Sequence, residues 1–159
     1  MRLVANPAGR RAHWTLALVA IIPAPQSVVE TGASVELHDG FVIEASGGRE
    51  AQQVAAQFTE RLATHPGLAA SVRAPSRQPR GAGVRVRFEL RPRSDLPAEG
   101  YRLVVAQDGV TLEAADVAGL RHGAVSLWQL AAASADATFQ QGTSAPVVRL
   151  PTVRIEDAP

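Results

Sequence analysis

Apolar residues recur along this chain with two distinct periods, and the switches between them outline its elements. From Arg49 to Thr64, the residues Ala51, Val54, Ala55, Phe58 and Leu62 form one stripe at the 3.6-residue period. Gln52, Gln53, Glu60 and Arg61 lie largely off it. That spacing predicts an amphipathic helix, which Pro66-Gly67 stops. Val84, Val86, Phe88 and Leu90 instead alternate with Arg85, Arg87 and Glu89, which predicts a strand with one buried face. Tyr101–Gln107 and Val110–Ala115 flank Asp108-Gly109, a two-residue hairpin signal. In that hairpin Leu103, Val105, Leu112 and Ala114 share one face, while Arg102, Thr111 and Glu113 take the other. Asp116 then reads as the N-cap of a second helix running to about Ala133. Its main stripe is Val117, Leu120, Ala124, Leu127 and Ala131, widened by Trp128 and Leu130, so it is apolar enough to be covered on more than one side.

Shorter β-type runs flank these elements. Ser27–Glu30, Ser34–Leu37 and Phe41–Ala45 are separated by Gly32 and by Asp39-Gly40, and Pro23 and Pro25 hold the approach to them extended. Val147–Leu150 and Val153–Ile155 close the chain around Pro151. Ser71–Gly83, Arg91–Gly100 and Ala133–Thr143 read as loops. No internal repeat and no dividing linker is visible. The elements predict an α+β fold: a single, mostly antiparallel sheet with two helices packed on one face, spanning residues 21–159. Residues 1–20 stand apart. Arg2, Arg10 and Arg11 precede an apolar run from Trp14 to Ile22, as in an export signal, which would place the protein in the periplasm or outside the cell. Leu18, two before Ala20, spoils the small-x-small cleavage pattern, and a disordered start leading into the first strand is the other reading. The run is short of the ~20 apolar residues a spanning helix needs, so no membrane insertion is expected.

Composition narrows the possible chemistry. A chain of 159 residues suits one domain, and with aromatics at 4% its core must be aliphatic and alanine-rich. The sixteen basic residues are all Arg, but the net charge is +1, which does not suggest a dedicated polyanion binder. Without Cys there is no disulfide and no thiolate nucleophile. His13, His38, His65 and His122 are scattered, with no H-E-x-x-H, so no metal site is expected. No nucleophile elbow or P-loop occurs, and Gly81-Ala82-Gly83 opens a strand rather than a helix. Asp95/Glu99 and Glu156/Asp157 are carboxylate pairs of the kind glycosidases use, but nothing in the sequence suggests a pocket around either. His122, near the apolar face of the second helix, fits a hydrogen-bonded packing residue better than a base. Arg73, Arg77, Arg80, Arg85, Arg87, Arg91 and Arg93 form the one run that could hold a nucleic acid or an anionic glycan. No aromatic interleaves it except the inward-facing Phe88, so a solvated sheet face is the simpler reading and no nucleic-acid partner is expected. No catalytic residue, cofactor site or metal site is assigned.

Three runs taken in order resemble a known family. They are Glu99-Gly-Tyr-Arg-Leu-Val-Val, Asp108-Gly-Val-Thr-Leu-Glu-Ala-Ala, and Gly119-Leu-Arg-His-Gly-Ala-Val-Ser-Leu-Trp-Gln-Leu130. Together they resemble the domain that precedes the barrel in family 20 glycoside hydrolases, the β-N-acetylhexosaminidases. Ile22-Pro-Ala-Pro-Gln26 is similar to that domain's opening, and Leu150-Pro-Thr-Val-Arg-Ile-Glu-Asp-Ala-Pro159 to the segment joining it to the barrel. The resemblance implies the hexosaminidase N-terminal fold of zincin-like type. For the parent enzyme it implies removal of terminal N-acetyl-β-hexosaminides with retention, in which the substrate's own acetamido oxygen attacks the anomeric carbon. The carboxylates of that reaction are an adjacent Asp-Glu pair in the barrel. This chain contains no Asp-Glu dipeptide, and a barrel of ~250 residues has no room in it. The resemblance therefore implies a non-catalytic domain without cofactors that supports the catalytic barrel of the same polypeptide. Leu120, Leu127 and Trp128 are the expected interface residues, and an uncovered interface would favour self-association. A carbohydrate-binding module is the alternative, although such modules present exposed aromatics, and Trp14 and Trp128 lie in apolar segments. An Arg-rich polyanion-binding domain ranks after it.

Overall fold

The computed structural model describes residues 21–76, 83–139 and 147–158. Along the chain they form β1 (Ser27–His38), β2 (Phe41–Ser46), α1 (Arg49–Thr64), β3 (Ala70–Arg73), β4 (Arg85–Leu90), β5 (Tyr101–Ala106), β6 (Gly109–Ala114), α2 (Val117–Phe139) and β7 (Val147–Asp157). One seven-stranded sheet runs in the order β1-β7-β5-β6-β4-β2-β3. The pairs β1–β7, β7–β5 and β5–β6 are antiparallel, whereas β6–β4, β4–β2 and β2–β3 are parallel. The sheet is thus mixed, half antiparallel and half parallel, rather than mostly antiparallel. Alternation within a strand shows which face is buried but not which way its neighbour runs, so the parallel half was hidden from the pattern.

Register lines the strands' buried positions into rows. Ala45, Phe88, Leu112, Leu103 and Ile155 face one another across β2, β4, β6, β5 and β7, none more than 2% exposed. Both helices lie on that face. α1 buries Ala51, Val54, Ala55, Phe58 and Leu62, the residues of its predicted stripe, and Phe58 meets Phe88 with ring centroids 5.3 Å apart. Burying each such Leu or Phe contributes about 1.5–3 kcal/mol before chain entropy is counted. α2 also approaches the sheet closely. A Cβ on Gly123 would lie 2.2 Å from Leu112 Cδ1, and one on Gly119 would lie 2.2 Å from the Gly100 carbonyl oxygen. A Gly-x-x-x-Gly spacing puts both glycines on one helix face and lets it settle against β5, β6 and the loop between β4 and β5.

Several breaks predicted from sequence are irregularities inside continuous strands. Gly32, with φ +78°, does not separate two strands; it sits in a bulge of β1 between Glu30 and Ser34. Pro151 likewise stays within β7, opposite Ser34. Pairing of β7 with β5 begins only at Val153, so Pro151 sits where a missing N–H costs least. The Thr152 hydroxyl fills the bulge: it accepts from Ala33 N–H at 3.1 Å and lies 2.6 Å from the Thr31 hydroxyl. The hairpin turn is Gln107-Asp108 rather than Asp108-Gly109, because Gly109 already pairs with Ala106. Gly109 is needed for a different reason: a Cβ there would come 2.5 Å from the Arg85 carbonyl oxygen of β4. The two-residue register change keeps every side chain on its expected face. The predicted loop over 71–83 begins with β3, a four-residue edge strand parallel to β2. α2 runs past Ala133 to Phe139, and residues 140–146 and the signal-like segment 1–20 lie outside the described residues.

Candidate interaction surface

The opposite face of the sheet carries polar rows in the same register. Glu89, Glu113, Arg102 and Glu156 face one another across β4, β6, β5 and β7. Glu89 and Glu113 would repel as direct neighbours, but Arg91 lies 2.5 Å from Glu89 and 3.9 Å from Glu113. Arg102 reaches Glu113 at 3.8 Å, Glu156 at 2.8 Å and Asp95 at 3.3 Å, and Arg154 lies 2.5 Å from Glu156. The Arg102 hydrogen bonds hold both Asp95 and Glu156 below the usual carboxylate range, and raise Arg102 itself. At the sheet's ends Arg73 pairs with Glu44 at 2.6 Å, and Arg149 binds Glu36 and lowers its pKa. Arg87 is an exception at the centre of this face, where its Nε is buried without a partner.

These pairs decide two sequence candidates. Asp95 and Glu156 come together as shared acceptors of one arginine. Within the Arg run, Arg73 and Arg91 are neutralised by acidic neighbours, and Arg77 and Arg80 lie outside the described residues. His122 is exposed rather than packed, with Nδ1 3.3 Å from the Glu99 carbonyl oxygen. Asp116 caps α2 as predicted: it accepts from Gly119 N–H and from Glu99 N–H, each at 2.8 Å, and those bonds depress its pKa. Tyr101 is buried, which raises its pKa against the bond it makes with Ser126 at 2.8 Å. Among the described residues no group of His, Asp and Glu could hold a metal ion. Among the same residues no helix is long and apolar enough to cross a membrane.

The helix layer is built differently. Leu120 and Leu127 are both 0% exposed, absorbed by the domain's own core, so of the three predicted interface residues only Trp128 keeps surface. Its indole N–H donates to the His65 carbonyl at 2.9 Å, which pins it across the C-terminal end of α1. Around it lies a shallow, open groove of about 470 Å³ lined by Gln57, Glu60, Arg61, Thr64, His65 and Trp128. Glu60 and Arg61 make no ion pair among the described residues. The sequence stripe had placed both off the buried face, and that was the available signal for the groove. His65 lies beyond the helix proper and gave none.

The match to known proteins decides what this scaffold is. The family model for glycosyl hydrolase family 20, domain 2, matches residues 18–158. The chain belongs to this family. Solved structures agree with that family 20 assignment. A mutant Streptomyces plicatus β-hexosaminidase in complex with product GlcNAc is 32% identical, with a TM-score of 0.70 over 89% of this chain and 26% of that one. The family 20 β-N-acetylhexosaminidase of Streptomyces coelicolor A3(2) is 27% identical, with a TM-score of 0.63 over 89% of this chain and 27% of that one. The family 20 exo-β-N-acetylglucosaminidase of Vibrio harveyi shares the fold at 19% identity, with a TM-score of 0.67 over 90% of this chain and 19% of that one. The family 20 domain therefore spans about a fifth to a quarter of the relatives it matches. No curated protein sequence matches it.

Proposed function

We propose that this domain is a non-catalytic support for the catalytic barrel of a β-N-acetylhexosaminidase, and that its helix layer packs against that barrel. The parent enzyme would hydrolyse terminal N-acetyl-β-hexosaminides by substrate-assisted retention, with its carboxylate pair outside this chain. The observation that carries the reading is the contrast between the two faces. The sheet face satisfies most of its charges internally, whereas the helix face presents Trp128 in a groove beside Glu60 and Arg61, which make no ion pair among the described residues. Aromatics and Arg are enriched at interfaces, and contacts between domains of one chain bury roughly 600–1,500 Å². Leu120 and Leu127 serve this interface indirectly, by holding α2 rigid beneath it. Export to the periplasm or beyond fits the signal-like start and the sugar polymers such enzymes degrade. The test is purified chain 1–159 with p-nitrophenyl N-acetylglucosaminide: no p-nitrophenol is expected, while the polypeptide extended through its barrel is active. Robust cleavage by 1–159 would overturn the assignment.

A further inference from the structure

Among the described residues the exposed large apolar side chains are Ile22, Val28 and Val29, and Ile22 is the most exposed at 75%. It is not a loose end. Its N–H donates to Gln129 Oε1 at 3.2 Å, and its carbonyl accepts from Gln129 Nε2 at 3.2 Å. One side-chain amide, 107 residues away in sequence, thus clamps both backbone polar groups of Ile22. The preceding residue, Ile21, is 3% exposed and plugs into the core. A large hydrophobe is therefore held out into solvent on a fixed backbone. Ordering a mobile segment is one of the costs of association, and a backbone that is already held avoids much of it.

Its position indicates what it meets. Gln129 follows Trp128 in α2, about 100° further round the helix, so one helix carries the groove and clamps Ile22. The chain's exit lies beside the same segment. Ser27 pairs with Glu156, Gln26 N–H donates to Asp157 Oδ1 at 3.1 Å, and Gln26 Nε2 donates to the Ala158 carbonyl at 2.5 Å. Polypeptide continuing past residue 158 therefore starts only four residues along the chain from Ile22. We propose that Ile22 is the apolar anchor of the contact with the domain that follows residue 158, inserting into an aliphatic pocket there, and that Gln129 is the residue that presets its backbone. This rests on the docking reading above and names the residue that contact is built around.

The experiment is differential scanning calorimetry of chain 1–159 and of the polypeptide that continues through the following domain, each with Ile22→Asp, Ile22→Leu, Gln129→Ala and Trp128→Ala. In the longer polypeptide the parent sequence and Ile22→Leu should unfold in one coupled transition. Ile22→Asp should split it in two, and Gln129→Ala should broaden it toward that split. In 1–159, Ile22→Asp should leave the midpoint unchanged, because the side chain it replaces is in water. If Ile22→Asp keeps the single transition while Trp128→Ala splits it, the anchor is wrong and the docking reading stands. If the unsubstituted longer polypeptide already unfolds in two independent steps, both fail. A lowered midpoint for Ile22→Asp in 1–159 would make Ile22 a folding residue and overturn the proposal.

Discussion

At an ordinary helix position, replacing Gly by Ala stabilises by about 1 kcal/mol. Gly119 and Gly123 of α2 should do the opposite. A methyl at 123 would sit 2.2 Å from Leu112 Cδ1 and 2.9–3.0 Å from the Tyr101 ring, against the ~3.5–4.0 Å at which carbons rest. Leu112 is 0% exposed and Tyr101 1%, so neither has solvent to swing into. Overpacking of this kind costs ~1–3 kcal/mol, and after the helix-propensity gain Gly123→Ala should lose up to ~2 kcal/mol. Gly119→Ala should lose more. Its methyl would meet the Gly100 carbonyl oxygen at 2.2 Å, a backbone atom whose loop is tied down by Gly100 N–H to Pro97 and by Glu99 N–H to Asp116. In a domain this size each kcal/mol moves the midpoint by about 2–4 °C, so Gly119→Ala should melt at least ~4 °C below the parent. Urea titration followed by far-UV circular dichroism, with exposed Gln53→Ala as control, measures the change at constant m-value. A Gly119→Ala protein more stable than its parent would show that α2 does not approach the sheet this closely.

Three further outcomes follow from packing and charge. Leu127→Ala empties a site that is 0% exposed and should cost ~2–5 kcal/mol by denaturant titration, an effect on the domain's own stability rather than on a surface contact. Glu36, Asp95, Asp116 and Glu156 all have folded pKa values below their ordinary ones. Their contribution is therefore complete above the ordinary carboxylate range and is lost as pH falls through the depressed values. Thermal melts should be nearly flat above about pH 5 and decline below about pH 4. Asp116→Ala should cost about 1 kcal/mol as a lost cap and should make that acid decline shallower.

What the sequence disclosed depended on whether one residue's job had one reading. The α1 stripe and the Asp116 cap were legible because periodicity and capping are local properties. Glycine and proline were ambiguous, since the same residue marks a turn, a bulge or a close approach. Gly32, Gly109 and Pro151 all read as breaks and turned out to lie within ladders. β3 was missed because four residues on an edge, with Ser71 and Arg73 among them, carry too little pattern. The same limit hid the interaction surface. Apolarity singled out Leu120 and Leu127, which the core absorbs. Trp128, which keeps surface, looked no different on the helical wheel, and Ile22 and Gln129 are joined only by the fold.

The bulge that Thr152 fills also governs how molecules of this kind behave when crowded. β1 is a twelve-residue border strand, long enough to template a neighbour along its whole length. Because its pairing steps out of phase between Glu30 and Ser34, its outward donors and acceptors form two short, misaligned runs rather than one ruler. An incoming strand that fits the first run is out of step with the second. The threonine hydroxyl that keeps this kink in place therefore also discourages the sheet from growing into a fibre.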